Sequence, residues 1–314
     1  MVAVNQGTES ADRKLAVETR DKHHSACILP YGTPMNHLLS SLTQDIVQPE
    51  ELLTQPRTDR LFIEARLGAD PDEEYQNYLD NHIHGAVYAQ IREVFASPPT
   101  STSGSLPLPA LSELQRTLRH WQVGPETEII VYGPSPALAA RAWWTLRWAG
   151  LSKVRLLDGG LRAWTSAGGP VAQGTFVPAK RRSAEELVLQ ADSLPQIQVS
   201  EMEQLPESVV LVDARDESAY LAGHIPLARN LPASELWTPS GALRTVDEVR
   251  GLFESVGVTE NADVVVYCGG GVLSALEVLL LQALGVQPRL YIGSWSEWGR
   301  SPARIARSAI TRVV

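Results

Sequence analysis

The chain has 314 residues, room for one large domain or two of about 150 residues each. Its 27 Lys and Arg against 36 Asp and Glu leave a formal charge of −9, which excludes the clustered positive charge that a nucleic-acid partner requires. Hydrophobic residues make up 44%, enough for a core; the longest apolar run, Leu276 to Leu284 with Glu277 and Gln282 inside it, is too short to span a bilayer; and two cysteines, Cys27 and Cys268, exclude a disulfide framework or an all-cysteine metal cage.

Residues 1–34 are polar and follow no helical or strand period. Arg13, Lys14, Arg20 and Lys22 cancel Glu9, Asp12, Glu18 and Asp21, so the net charge belongs to residues 35–314. Charged residues also stand where a secretory signal would be apolar. The expectation is a flexible extension over 1–44, with an upstream start codon as one origin for its first part, on a cytoplasmic protein. His23 and His24 lack a further ligand at useful spacing and read as solvated; Cys27 reads as an incidental exposed thiol. Met35 opens MNHLLSSLTQDIVQPEELL, whose apolar spacing marks the approach to ordered chain.

Downstream, strand and helix signals alternate. LFIEA (61–65) and IIVY (129–132) are short β-branched runs that predict buried strands. Between them SPPTSTSGSLPLP (97–109) is a Pro/Ser-rich loop. ALAARAWWTLRWAG (137–150) predicts a helix, and VRLLDG (154–159) a further strand. GGPVAQGTFVPAKRR (168–182) reads as interdomain linker, with the first domain ending at 172 and the connection running from 173 to 198. The pattern then restarts. VVLVDA (209–214) predicts a strand and DESAYLAGH a short helix. TVDEVRGLFESVG (245–257) predicts an amphipathic helix with Val246, Val249, Leu252, Phe253 and Val256 on one face, stopped by Gly257. ADVVVYC (262–268) predicts a strand, LSALEVLLLQALG (273–285) a helix, and RLYIG (289–293) a last strand.

The restart is a duplication. YLDNHIHGA (78–86) matches YLAGHIPLA (220–228) at an offset of 142; Glu64-Ala65-Arg66 and Asp213-Ala214-Arg215 precede the two copies. EIIVY (128–132) matches DVVVY (263–267) at 135, and GGLRAW (159–164) matches GSWSEW (293–298) at 134. Four matches in one order at nearly constant offset indicate a repeated domain of roughly 110–130 residues. Alternating strands and helices in each copy predict an α/β fold with a mainly parallel sheet covered by helices on both faces.

Cys268 stands where chemistry is expected. It ends a predicted strand, and ligands of open α/β sheets bind beyond the carboxyl ends of strands. Gly269, Gly270 and Gly271 let the following backbone turn its N–H groups inward, and the helix behind them contributes about half a unit of positive charge at its N-terminus. Both favour a thiolate and would hold a persulfide placed on it. The bland alternative is a small buried hydrophobic residue. A P-loop lacks support because no Lys-Ser/Thr follows. A phosphatase loop would need arginine at position 274, which is Ser274. In the first copy Gly133-Pro134-Ser135-Pro136 occupies the corresponding place without a thiol, so copy one is expected to be inactive and copy two catalytic.

Together these residues resemble the tandem-domain rhodanese family, the thiosulfate and 3-mercaptopyruvate sulfurtransferases. The two HI-x-x-A elements (His82 to Ala86, His224 to Ala228), RAWWTLRWAG with LLDGGLRAW (156–164), YIGSWSEWG (291–299) and the loop CGGGVLSA (268–275) carry the resemblance over about residues 45–304. It implies two tandem rhodanese-like α/β domains, an inactive one at 45–172 and a catalytic one at 199–304, then a tail at 305–314. It implies sulfur transfer from 3-mercaptopyruvate or thiosulfate through a Cys268 persulfide to cyanide, a thiol or a thioredoxin-type acceptor, in a monomer without metal or organic cofactor. Gly269, Gly270, Gly271, Val272, Leu273 and Ser274 would bind the persulfide. Gly270 replaces the serine of the mercaptopyruvate type, Gly269 and Gly270 lack the Arg-Lys of the thiosulfate type, Leu273 replaces threonine, and Ala219 replaces a C-domain arginine. Arg215, Arg244 and Arg66 are the candidate cationic replacements, and His82 matches the family histidine; each also has a structural reading. A protein persulfide carrier and a non-catalytic binding or regulatory module are the alternatives.

Overall fold

The computed structural model describes residues 43–178 and 187–310. Cys27, the His23–His24 pair and nearly all of the expected extension lie outside the described residues, as does the end of the expected tail.

The first half runs β1 (Ile46–Val47), α1 (Pro49–Thr54), β2 (Arg60–Arg66), α2 (Pro71–Asp80), β3 (His82–Ile83), β4 (Ala86–Gln90), α3 (Ile91–Val94), α4 (Leu111–His120), β5 (Glu128–Tyr132), α5 (Pro136–Trp148), β6 (Val154–Leu157), α6 (Gly160–Ser166) and β7 (Val171–Ala172). The second runs α7 (Val199–Met202), β8 (Val210–Asp213), α8 (Glu217–Ala222), β9 (Arg229–Asn230), a 3-10 turn (Ala233–Leu236), α9 (Val246–Ser255), β10 (Val264–Tyr267), α10 (Leu273–Ala283), β11 (Arg289–Leu290), α11 (Ser294–Trp298) and α12 (Pro302–Ile310). Local chemistry explains the starts. Asp70 accepts the N–H groups of Asp72 and Glu73 ahead of Pro71, and Glu248 reaches back to accept the Thr245 N–H at 2.9 Å. No helix among the described residues is long and apolar enough to cross a membrane.

Each half builds its own parallel sheet, β1-β6-β5-β2-β4 and β11-β10-β8-β9. The short β3 and β7 pair antiparallel to each other, so Val171 and Ala172 close the first domain. The central strands β5 and β10 are buried at every position, as continuous apolar runs in parallel sheets require. The duplication persists at atomic detail. Tyr78 Oη donates to Ala86 O (2.7 Å) and Tyr220 Oη to Ala228 O (2.8 Å). His82 Nδ1 lies 2.9 Å from Tyr78 O and His224 Nδ1 3.0 Å from Tyr220 O, each imidazole stacked on the tyrosine ring. The Ile83 and Ile225 N–H groups donate to Tyr132 and Tyr267 hydroxyls.

The largest buried cluster spans the two halves, and each half has a smaller one of its own. Helices α5 and α10 follow the equivalent strands β5 and β10 and pack directly on each other. Eleven of thirteen residues of α5 and nine of eleven of α10 are buried, which explains why both are apolar on all sides rather than on one stripe. Buried residues of the two helices and of both sheets join in a single cluster. The connection to the second half adds to it: Leu187 and Leu194 are buried, Gln190 N donates to Ala149 O, and Ile197 N donates to Leu290 O.

A cluster shared by both halves predicts one cooperative unfolding transition. Truncating the fully buried Leu279 of α10 should cost about 2–5 kcal/mol. In urea, Leu279→Ala should move the whole transition together; a variant in which half the signal unfolds separately would contradict the shared core.

Candidate active site

The site begins where β10 ends. Cys268 is 1% exposed and follows Tyr267 directly. Its N–H donates to Ser294 Oγ at 3.2 Å, and its carbonyl accepts the Trp295 N–H at 2.9 Å; the Gly269 carbonyl accepts the Ser296 N–H at 3.0 Å. These bonds fasten the cysteine loop to α11, the element that carries the SWSEW sequence. The backbone then turns at Gly271, whose φ of +78° favours glycine. A Cβ at Gly271 would also lie 2.7 Å from Ile292 Cδ1 and 2.8 Å from Arg141 Nη1. Helix α10 starts two residues later.

Two donors point at the sulfur. The Gly271 N–H lies 3.1 Å from Sγ and the buried Ser274 hydroxyl 3.4 Å. Of the expected cradle, Gly271 and Ser274 therefore provide the observed bonds. The Ala275 N–H is occupied by Val272 O, Val272 and Leu273 pack against the core, and a Cβ on Gly269 would meet open space. Gly270 is small for a different reason. A Cβ there would sit 2.6 Å from Ser105 Oγ, because the loop predicted at 97–109 crosses to the second half. Ser105 N donates to Ser296 Oγ at 2.9 Å, which holds that loop over the cysteine turn.

The expected cationic replacements have other partners. Arg215 is buried and grips Asp213 with Nε and Nη2, adds a bond to Gly223 O, and stacks over the Trp295 ring at 4.8 Å. Arg66 bridges Glu64 and Glu74 at 2.5 and 3.0 Å. Arg244 lies on the surface, bound to Glu235 O and Glu248. His82 is 1% exposed and packed on Tyr78. The thiol-less loop Gly133–Pro136 instead borders an open cavity of about 700 Å³ that also touches Arg66, Arg162 and Trp237. No group of three or more His, Cys, Asp or Glu side chains among the described residues could hold a metal ion.

Two ionisable residues near the thiol come from positions that periodicity marks as core. Arg141 of α5 is fully buried; its Nη1 donates to Gly271 O at 3.2 Å, and its Nη2 to Phe95 O and Leu106 O, both at 2.9 Å. Burial pushes its guanidinium down to about 10, opposed by the charge on Cys268. Glu277 of α10 lies one turn past Ser274, fully buried, with neither carboxylate oxygen hydrogen-bonded. Burial first, then the charges of Cys268 and Asp213, push its carboxyl well above the usual range, toward the neutral form. The signal that could have flagged both is a charge set among apolar neighbours: Glu277 is the one charged residue of α10, and Arg141 is one of two in α5.

Two tandem copies of one parallel α/β domain, with a cysteine loop at the strand end of the second, define the class of protein. The rhodanese-like domain family matches it twice, over residues 48–167 and 198–301, and the chain belongs to that family. SseB of Mycobacterium tuberculosis, which carries a provisional thiosulfate sulfurtransferase name, is 32% identical over 255 residues, 77% of this chain and 89% of its own. Sulfur carrier protein TtuD of Thermus thermophilus is 28% identical over 251 residues, 73% of this chain and 86% of its own. The crystal structure of SseA from Escherichia coli, presented as a 3-mercaptopyruvate sulfurtransferase, superposes with a TM-score of 0.69 at 30% identity, covering 81% of this chain and 99% of that one.

Glu277 yields a sign-definite prediction. A carboxyl raised in the folded state resists ionisation there, while the unfolded chain ionises near 4.5. Wild-type stability should therefore fall relative to Glu277→Gln as pH rises above that value, with a limiting slope of about 1.4 kcal/mol per pH unit. Urea unfolding of both proteins across acidic to neutral pH reads this; parallel stability curves would show that Glu277 ionises freely.

Proposed function

We propose that this protein is a sulfurtransferase that carries sulfane sulfur as a persulfide on Cys268, with the half at 199–304 catalytic and the half at 45–172 lacking chemistry of its own. The observation that carries this reading is the sulfur's setting: a thiol at the carboxyl end of a central parallel strand, faced by the Gly271 N–H and the Ser274 hydroxyl. Both donors favour negative charge on sulfur, as a nucleophilic thiol needs.

With thiosulfate, the Cys268 thiolate attacks the outer sulfur. A Cys–S–S bond forms, the S–S bond of the donor breaks, and sulfite leaves with the bonding pair. With 3-mercaptopyruvate, the carbon–sulfur bond breaks instead; the pair goes to carbon as the enolate, which takes a proton and leaves as pyruvate. In the second half-reaction cyanide or a thiolate attacks the outer persulfide sulfur, and the Cys268 thiolate departs. Its negative charge is regenerated at the same place, so donors that hold it in one half-reaction hold it in the other. No step calls for a metal or organic cofactor.

The donor is a small sulfur-bearing anion. The CG-x-G pattern of Cys268 to Gly271, without an Arg-Lys pair, favours 3-mercaptopyruvate over thiosulfate. The acceptor is a thiol, cyanide or a thioredoxin-type protein. Similarity to a sulfur carrier protein favours a second reading, a persulfide carrier loaded by another protein, in which small donors turn over slowly.

Initial rates with 3-mercaptopyruvate and with thiosulfate, using cyanide and a dithiol as acceptors, separate these readings. Cys268→Ser should lower transfer by about a thousandfold or more while leaving the fold intact. Wild-type turnover that survives in the variant would sink the mechanism. Turnover absent with both donors but restored by a persulfide-delivering protein would select the carrier.

A further inference from the structure

Arg141 presents an electrostatic problem that the local fold does not solve. Its side chain is wholly removed from solvent, yet its three hydrogen-bond acceptors are neutral carbonyls, of Gly271, Phe95 and Leu106. Its Nε has no partner, and among the described residues no carboxylate forms an ion pair with it. An enclosed cation without an anion is costly, far more so than one whose counter-charge is buried with it.

The surrounding elements leave one candidate for that counter-charge. From α10, Glu277 forms no ion pair with Arg141 among the described residues, and its burial opposes a negative charge there. From β8, Asp213 is neutralised by its forked bond to Arg215. From α11, Ser294 Oγ accepts the Cys268 N–H and is uncharged. Cys268 is the remaining ionisable group, its sulfur 3.1 Å from the N–H of the same Gly271 whose carbonyl Arg141 holds at 3.2 Å. Arg141 also touches the sulfur's own loop, since it binds the carbonyl of Gly271, the residue whose N–H points at Sγ. The same guanidinium ties Phe95 O and Leu106 O, at either side of the loop that carries Ser105 over Gly270.

We propose that Arg141, contributed by the thiol-less half, is the counter-ion of the sulfur anion on Cys268 and the positioning residue of the Gly271 turn. The first half thereby completes the second half's site from beneath: it supplies fixed positive charge to thiolate and persulfide alike while keeping the donor face free of a cation. The importance of this for turnover rests on the sulfur-transfer reading; the electrostatic pairing itself does not.

The test uses the full chain and no sulfur donor. Thiolate ultraviolet absorbance is followed against pH, subtracting for each protein its Cys268→Ser counterpart to cancel Cys27. Arg141→Met should shift the midpoint to higher pH by about one unit or more, the effect of removing a close opposite charge, whereas Arg141→Lys should stay nearer wild type. A folded Arg141→Met protein with the wild-type midpoint would overturn the proposal. Should Arg141→Met fail to fold, unfolding of wild type and Cys268→Ser supplies the test without any change at Arg141. On the proposal, the folded protein favours the charged sulfur over the unfolded chain, so the stability of wild type over the variant should rise with pH and level off above the free-thiol range of about 8.5. A difference that stays flat with pH would overturn it. Absence of Cys268-dependent turnover would instead count against the transferase reading and leave this pairing standing.

Discussion

The burial of α5 against α10 is the constraint on which the rest depends. Each follows the central strand of its own sheet, and each is too apolar to face water on any side. Packing them together joins two copies of one domain through a shared buried cluster and fixes where their N-terminal loops lie. One loop carries Cys268; the other, Gly133–Pro136, carries no thiol. The duplication survives in the Tyr–His stacks and tyrosine hydroxyl bonds of both halves, which hold each domain's strand ends in the same way. What differs is what each half places around one sulfur.

That sulfur lies among polar groups that burial makes consequential. The Gly271 N–H and Ser274 hydroxyl face it, burial opposes ionisation of Glu277 one turn further along α10, and the Arg141 guanidinium is fully enclosed. In water such groups would be screened; in a packed core their charges are felt over several ångströms. The arginines chosen on sequence grounds act differently. Arg215 and Arg66 lock the turns after β8 and β2 through Asp213 and Glu64, and Arg244 binds at the surface. Cationic character at the proposed site thus comes from below the cysteine loop rather than from its donor face.

Much of this was legible in the sequence because it is local. Short β-branched runs marked β2, β5, β8 and β10 almost to the residue, the matches at offsets of 142, 135 and 134 located the repeat, and Pro and Ser marked the loop at 97–109. Strand-end position and three glycines singled out Cys268. The rest was hidden because it is non-local. Ser105 meets Ser296 across 191 positions, and Arg141 meets Gly271 across 130. Nothing in the spacing of either segment encodes those meetings. Gly270 shows the limit well: its smallness looked like a lost hydroxyl, whereas the structure fills that space with Ser105 from the other half. Val171 and Ala172, at the start of the segment read as a linker, pair with β3 for the same non-local reason.

The central claim is that sulfur passes through Cys268, and intact-protein mass spectrometry tests it most directly. The purified chain is incubated with 3-mercaptopyruvate or thiosulfate without an acceptor, then weighed and digested to place any adduct. The account predicts a gain of one sulfur atom on the peptide bearing Cys268, removed by cyanide and absent from Cys268→Ser. An unmodified Cys268 with either donor, beside continuing transfer to an added acceptor, would contradict it.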